Sequence, residues 1–153
     1  MHSEIITGLF CGDASAALAP ENEKFDCILN IAREVPFSSC LADSVETHKY
    51  DIIDDDMQDE DMQLKMLHSF PEACNIIKNS LESNRLVLVH CLEGMQRSCS
   101  IIMAYLLHSM SYHQAFCHIT TKHEVAFDRG SFVHFENALR AWEAMISAST
   151  QKS

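Results

Sequence analysis

The stretch Arg85-Leu-Val-Leu-Val-His90-Cys91-Leu-Glu-Gly94-Met-Gln-Arg97-Ser98 puts a nucleophile, a cation and a tight turn within a few residues of one another. An apolar strand pattern ends at His90 and Cys91. A turn then runs through Leu92, Glu93, Gly94, Met95 and Gln96 to Arg97, and an apolar helical run opens at Ser98. These residue types suit a bound phosphoryl group, whose charge is between about −1.5 and −2 at neutral pH. Successive N–H groups of a turn entering a helix form a nest for such an anion. Gly94 permits a backbone conformation that a side chain would obstruct. Arg97, six residues after the cysteine, can lay its planar fork on two phosphate oxygens. The same dipoles and cation favour a thiolate at Cys91. That thiolate could attack phosphorus in line and divide hydrolysis into two displacements through a phosphocysteine. Ser98 could hydrogen-bond the sulfur and help it leave, and His90 is better placed to brace the turn than to act as a base. A His-Cys pair at a strand end is ordinarily packing. Here His90, Cys91, Gly94, Arg97 and Ser98 occur together between a strand and a helix, which turns the balance toward chemistry.

The chain resembles a small dual-specificity phosphatase of the cysteine-dependent protein-tyrosine phosphatase superfamily. That signature is His-Cys, five residues, Arg, then Ser or Thr, matched here at His90, Cys91, Arg97 and Ser98. Ile5-Ile-Thr-Gly-Leu-Phe-Cys-Gly12 is similar to the family's opening strand and Phe25-Asp-Cys-Ile-Leu-Asn-Ile31 to its second. Phe70-Pro-Glu-Ala73 and Ala104-Tyr-Leu-Leu107 resemble parts of the helices before and after the signature. Glu93 stands where Ala is common, and Gln96 replaces a small hydroxyl residue. The resemblance implies a protein-tyrosine-phosphatase-like α/β fold, with Cys91 and Arg97 catalytic and Leu92 to Arg97 binding phosphate. It also implies hydrolysis of phosphotyrosine, and of phosphoserine and phosphothreonine, on protein substrates, because the short chain lacks the added loops that deepen the pocket of tyrosine-specific relatives. Two alternatives stay open: a phosphatase of an RNA 5′ phosphate, lipid or sugar, and a catalytically weak phosphate-binding module. Leu92 to Gln96 contains no cation, which disfavours inositol phosphates.

Expelling an alcohol from phosphorus calls for a proton donor on a loop. Ile52-Ile53-Asp54-Asp55-Asp56 follows the third strand, where the family places its general acid, and Asp54 matches best, with Asp55 second and Asp56 third. Most of the seven carboxylates between Asp51 and Asp61 read as a solvated loop. Asn30 could hydrogen-bond the phosphate turn or simply end its strand. Arg129 reads as a surface ion pair before a substrate contact. Histidines 113, 118, 123 and 134 read as surface or core residues, lacking ligand partners at metal spacing.

The elements that must position these groups follow from periodicity. Residues 5–10, 26–31, 45–53 and 85–90 read as strands, and Leu86-Val-Leu-Val89 as a central strand covered on both faces. Leu64, Leu67, Phe70, Cys74, Ile77 and Leu81 trace a helix that Pro71 should kink or restart. Residues 98–110 predict a buried helix. Ser111 and Gln114 form a capping box for the next, through about Lys122. Phe132, Phe135, Leu139, Trp142 and Ile146 mark a closing helix. The sum is an α/β protein with a central, mainly parallel sheet flanked by helices, the ligand sitting at the carboxyl end of a central strand.

With 153 residues and 47% hydrophobic content the chain is expected to form a single domain, 1–153. Seven cysteines without a Cys-x-x-Cys pair suggest neither a disulfide framework nor a zinc site. Cys99 lies close enough to Cys91 in sequence to raise the idea of a protective disulfide. No metal or cofactor is expected. A net charge of −11 argues against a nucleic-acid partner, and no apolar run approaches a membrane span. A cytoplasmic, or nuclear, location is expected.

Overall fold

The computed structural model describes residues 1–18, 24–38, 41–54 and 59–151. Asp55 and Asp56, the second and third acid candidates, lie outside the described residues.

Five strands form one sheet in the order β1-β2-β5-β3-β4: β1 His2–Ile6, β2 Leu9–Gly12, β3 Cys27–Asn30, β4 Glu46–Lys49 and β5 Val87–His90. All pairs are parallel except β1–β2. The first expected strand, 5–10, is in fact the middle of a hairpin. Gly8 turns the chain with φ +86°, a left-handed conformation that glycine adopts without a Cβ penalty. The third is shorter than expected, and alternates half-buried and exposed residues as an edge strand does. β3 and β5 are buried throughout, as their unbroken apolar runs require.

Two cores flank the sheet. Leu88 and Ile28 pack with Ala16, Ala17 and Phe25 on the face covered by α1 (Ala14–Leu18). Val87, Val89, Cys27 and Leu29 face the larger core, built from α2 (Glu60–Glu82), α3 (Arg97–Leu106), α4 (Tyr112–Lys122) and α6 (Glu136–Gln151). α2 runs unbroken through Pro71 and is capped by Asp59, whose carboxylate accepts from the Asp61 N–H. Its buried stripe runs through Gln63, Met66, Phe70, Ala73, Cys74 and Ile77, so Leu64 is left 45% exposed. α3 is buried nearly all round, and the Ser111–Gln114 capping box is formed. A short helix absent from the sequence pattern, α5 (Ala126–Gly130), contains three left-handed residues, Phe127, Asp128 and Arg129. Phe132 precedes the closing helix rather than lying on it, and is 45% exposed.

Register brings the site together. His90 lies opposite Gly12 on one side and Asn30 on the other, so three strands end at one level and Cys91 follows directly.

Candidate active site

Cys91 is 2% exposed, and its Sγ receives the Gly94 N–H at 3.3 Å and lies 3.3 Å from the Ser98 hydroxyl. The loop turns its carbonyls outward. Leu92 O accepts from the Ala14 N–H (3.0 Å), Met95 O from the Phe127 N–H (2.7 Å) and Gln96 O from the Ser100 N–H (2.9 Å). The amides of Leu92, Glu93, Met95 and Gln96 donate to no acceptor among the described residues. A turn with tied carbonyls and spare amides is arranged as a nest for an anion. Gly94 makes this possible: its φ is +72°, and a Cβ there would lie 3.0 Å from the Gly12 carbonyl carbon and oxygen.

Arg97 opens α3 and is buried at 4% exposure. Its Nη1 and Nη2 donate to the two carboxylate oxygens of Glu34, at 2.7 and 2.9 Å, and Nη1 also to Ile52 O at 2.9 Å. That fork-to-fork pair fixes the guanidinium plane. Burial disfavours the charge of Arg97, and Glu34 more than restores it, while the Arg97 hydrogen bonds hold the Glu34 carboxyl below its ordinary range. The Nε of Arg97 has no acceptor among the described residues. An unmet charged donor is costly unless an anion arrives.

Cys91, Arg97, Asp54, Met95 and Gln96 line one cavity of about 250 Å³, with Glu34, Leu92, Glu93, Asp128 and His134. Asp54 does not stand alone there. Its Oδ1 lies 2.5 Å from Nδ1 of His134. The backbone of His134 is gripped on both sides. Its N–H donates to Gln96 Oε1 (3.0 Å) and its carbonyl accepts from Gln63 Nε2 (2.7 Å). Gln96 also donates to Phe132 O at 2.8 Å. Asp128 reaches the cavity from α5, whose three consecutive left-handed residues each cost about 1–2 kcal/mol. The burial of Phe127, stacked on Phe116 at 5.4 Å, and its N–H bond to Met95 O hold that strain in place.

Behind the loop lies a buried cluster. Cys11 Sγ is 3.4 Å from Ser98 Oγ and 3.6 Å from Cys99 Sγ, and Cys99 donates to Gly94 O (3.4 Å). His123 bonds Gly94 O through Nε2 and Ser3 Oγ through Nδ1, both at 2.8 Å. The contact with Cys99 pulls the Cys11 thiol well below its ordinary range against burial, with His123 and Ser98 assisting. Burial pushes Cys99 well above it. Burial works against a charged His123, but its contact with Cys11 outweighs that and raises it. Cys11, Cys99 and His123 could in principle share a metal, as could Cys27, Glu46 and His48. In the first group both ring nitrogens already have protein partners. In the second, Glu46 is committed to His48 and Arg85.

His90 contacts Cys91 O at 3.2 Å, and burial lowers its basicity. Asn30 bonds Val35 O and the Ala32 N–H, bracing its own turn rather than the phosphate loop. Arg129 forms an exposed pair with Glu124. Cys99 faces Cys11 and Gly94, not Cys91. Glu34 and Asp128 carry no mark in the sequence; of the histidines expected as surface or core residues, His134 lines the cavity and His123 lies buried behind the loop. His134 lies in the segment before α6.

A buried strand, a cysteine turn closed by arginine and a helix, in this sheet order, define a cysteine-based phosphatase. The chain belongs to the family "Dual specificity phosphatase, catalytic domain", whose profile matches residues 9–144. It is 30% identical over 151 residues to Dual specificity protein phosphatase Mpk3 of Drosophila melanogaster, covering 94% of this chain and 34% of that protein. It thus spans about a third of that relative's length. Dual specificity protein phosphatase 1B of Arabidopsis thaliana is 30% identical over 135 residues, 86% of this chain and 77% of that protein. In fold the chain is similar to human DUSP28, with a TM-score of 0.80, 23% identity and 95% of each chain covered. PTPMT1 is similar at a TM-score of 0.70 and 17% identity, with 100% of each chain covered.

Proposed function

We propose that this chain hydrolyses phosphotyrosine, and phosphoserine and phosphothreonine, on proteins through a phosphocysteine at Cys91. The observation that carries the reading is the loop itself: a buried sulfur at the base of spare amides, with Arg97 fixed at its wall. The thiolate attacks phosphorus as the P–O bond to the leaving oxygen breaks, and Asp54 gives that oxygen a proton. Ser98, 3.3 Å from the sulfur, stabilises it as it leaves in the second displacement. Amides and guanidinium compensate the phosphoryl oxygens throughout. The cavity is small, and four carboxylates, Glu34, Asp54, Glu93 and Asp128, line it beside Arg97 and His134. Glu34 is paired with Arg97, and Asp54 lies 2.5 Å from His134. Glu93 and Asp128 are left to repel further negative charge, which favours a single phosphate on a peptide over a polyphosphorylated lipid or RNA.

The test is phosphate release from phosphotyrosine and phosphothreonine peptides, a phosphoinositide and 5′-triphosphorylated RNA under reducing conditions. The peptides are expected to be preferred, with radiolabelled phosphate trapped on protein after acid quench. Cys91→Ser should bind phosphate without turnover. Preference for lipid or RNA would replace the substrate class, and a competent Cys91→Ser would remove the covalent route. Absence of any hydrolysis would leave a phosphate-binding module.

A further inference from the structure

Gln96 occupies a position in the phosphate loop where a small hydroxyl would serve the loop itself, yet its side chain faces elsewhere. It is 2% exposed, and both ends of its amide are spent on the segment before α6, at Phe132 O and the His134 N–H. Gln63, from α2, holds the carbonyl of the same histidine and also accepts from the Ala138 N–H at 3.0 Å. Two buried glutamines from different elements thus fix one residue, and that residue places Nδ1 2.5 Å from Asp54. The His134 ring packs edge-on against Phe132 with centroids 5.0 Å apart. Surface histidines are not built in this way.

We propose that His134 is the positioning residue of the proton donor: it holds the catalytic proton jointly with Asp54, and Gln96 and Gln63 keep it there. This rests on Asp54 being the general acid. A carboxyl group on its own gives up its proton well below neutral pH, whereas free imidazole does so near about 6.5. A carboxylate and an imidazole bridged by one proton behave as a unit, with that proton available to either. The charged and titratable groups facing the pair are Arg97 with its partner Glu34, Cys91 on the floor, and Glu93 and Asp128 on the rim; Gln63 and Gln96 are neutral.

The chemistry balances in both displacements. As the Cys91 sulfur bonds phosphorus and the P–O bond breaks, the shared proton passes through the Asp54 carboxyl to the leaving oxygen. That leaves a carboxylate, a neutral imidazole and the phosphocysteine. Water then attacks phosphorus and gives a proton to the pair, the S–P bonding electrons return to sulfur, and hydrogen phosphate departs. The pair ends as it began.

The test compares wild type, His134→Asn, Gln96→Leu and Asp54→Asn as purified full chains. Substrates are a phosphotyrosine peptide, whose phenolic leaving group needs a proton, and p-nitrophenyl phosphate, whose leaving group scarcely does. Asn can still donate to Asp54 but holds no exchangeable charge. His134→Asn should lose about 10- to 100-fold in kcat on the peptide at pH 7.5, recover to within about threefold at pH 5.5, and change little on p-nitrophenyl phosphate at either pH. Gln96→Leu should show the same pattern more weakly, and tests the idea if His134→Asn does not fold. A wild-type pH profile in a folded His134→Asn, or a faster rate at pH 7.5, would overturn the proposal. Asp54→Asn separates the layers. If it leaves the discrimination between leaving groups intact, the acid assignment itself fails. If it slows the peptide far more than p-nitrophenyl phosphate while His134→Asn does not, only the role of His134 fails.

Discussion

On the cavity side of the 91–97 loop, Arg97 and Asp54 are engaged by Glu34 and His134, yet Arg97 Nε and several amides have no partner among the described residues. On the inner side, Cys11, Ser98, Cys99, His123 and Gly94 O are linked contact by contact into a closed network. The two faces of one turn therefore carry opposite debts. The inner face is satisfied by the protein and holds shape, whereas the outer face keeps donors, the buried Arg97 Nε among them, that an anion would complete. Substitutions on the outer face should change kinetics with small effects on stability, and those on the inner face the reverse. Ser98 belongs to both, since its hydroxyl lies 3.3 Å from Cys91 Sγ and 3.4 Å from Cys11 Sγ.

The sharpest way to break this contrast is Arg97→Lys. Charge is kept, but the planar fork that pairs with Glu34 and leaves Nε for phosphate is lost. Steady-state kinetics on a phosphotyrosine peptide should show kcat/KM down by about 10²- to 10³-fold, the usual loss of a fixed donor to developing charge. Thermal melting should move far less. A variant that unfolds as readily as it loses activity would mean that Arg97 is structural on both faces.

Gly94→Ala strikes the backbone that both faces share. An alanine at φ +72° costs about 1–2 kcal/mol, and its Cβ would press on the Gly12 carbonyl at 3.0 Å. A combined loss of about 2–3 kcal/mol in urea-unfolding free energy is expected, together with weaker phosphate binding, because the loop cannot keep its amides convergent. Normal affinity for phosphate in a destabilised Gly94→Ala would show that the cup survives a shift of β2, and that the two faces are less coupled than the geometry implies.

The legible parts of this molecule are those in which a local pattern is also the physical cause. The unbroken apolar run of 86–89 predicts β5 at the sheet centre, and Ser111 with Gln114 predicts the helix start that forms. Offsets within the loop likewise bring Cys91, Gly94, Arg97 and Ser98 together, because the turn is contiguous in sequence. The strand hairpin was hidden because Gly8 sits inside an apolar stretch and its φ leaves no mark on periodicity. Glu34 and His134 were hidden for a different reason. They meet Arg97 and Asp54 across separations of 63 and 80 residues, and no spacing rule reports contacts that only the closed sheet creates. Gln96 was visible as a departure from the family pattern, but its meaning needed the segment it holds.

The smallest effect, and the finest probe of the inner face, is His123→Gln. Glutamine can still donate to Gly94 O but cannot carry the charge that the Cys11 contact favours. His123 is raised above its ordinary value in the folded protein, so its contribution is fully present below the unfolded value and disappears as pH rises through the raised folded one. Cys11 is lowered, so its contribution is present above its unfolded value and lost as pH falls through the folded one. The ion pair is thus confined to the window between the two folded values. Near neutral pH the variant should melt about 2–4 °C lower, equivalent to about 1 kcal/mol for a chain of this size. The gap should close as the pH is taken toward 10, because wild type then loses the charge that the variant never had. Phosphate affinity should be nearly unchanged across the series. A gap that persists undiminished at high pH would mean that His123 braces Gly94 as a neutral donor, and that the thiol cluster beneath the loop is held by packing and not by charge.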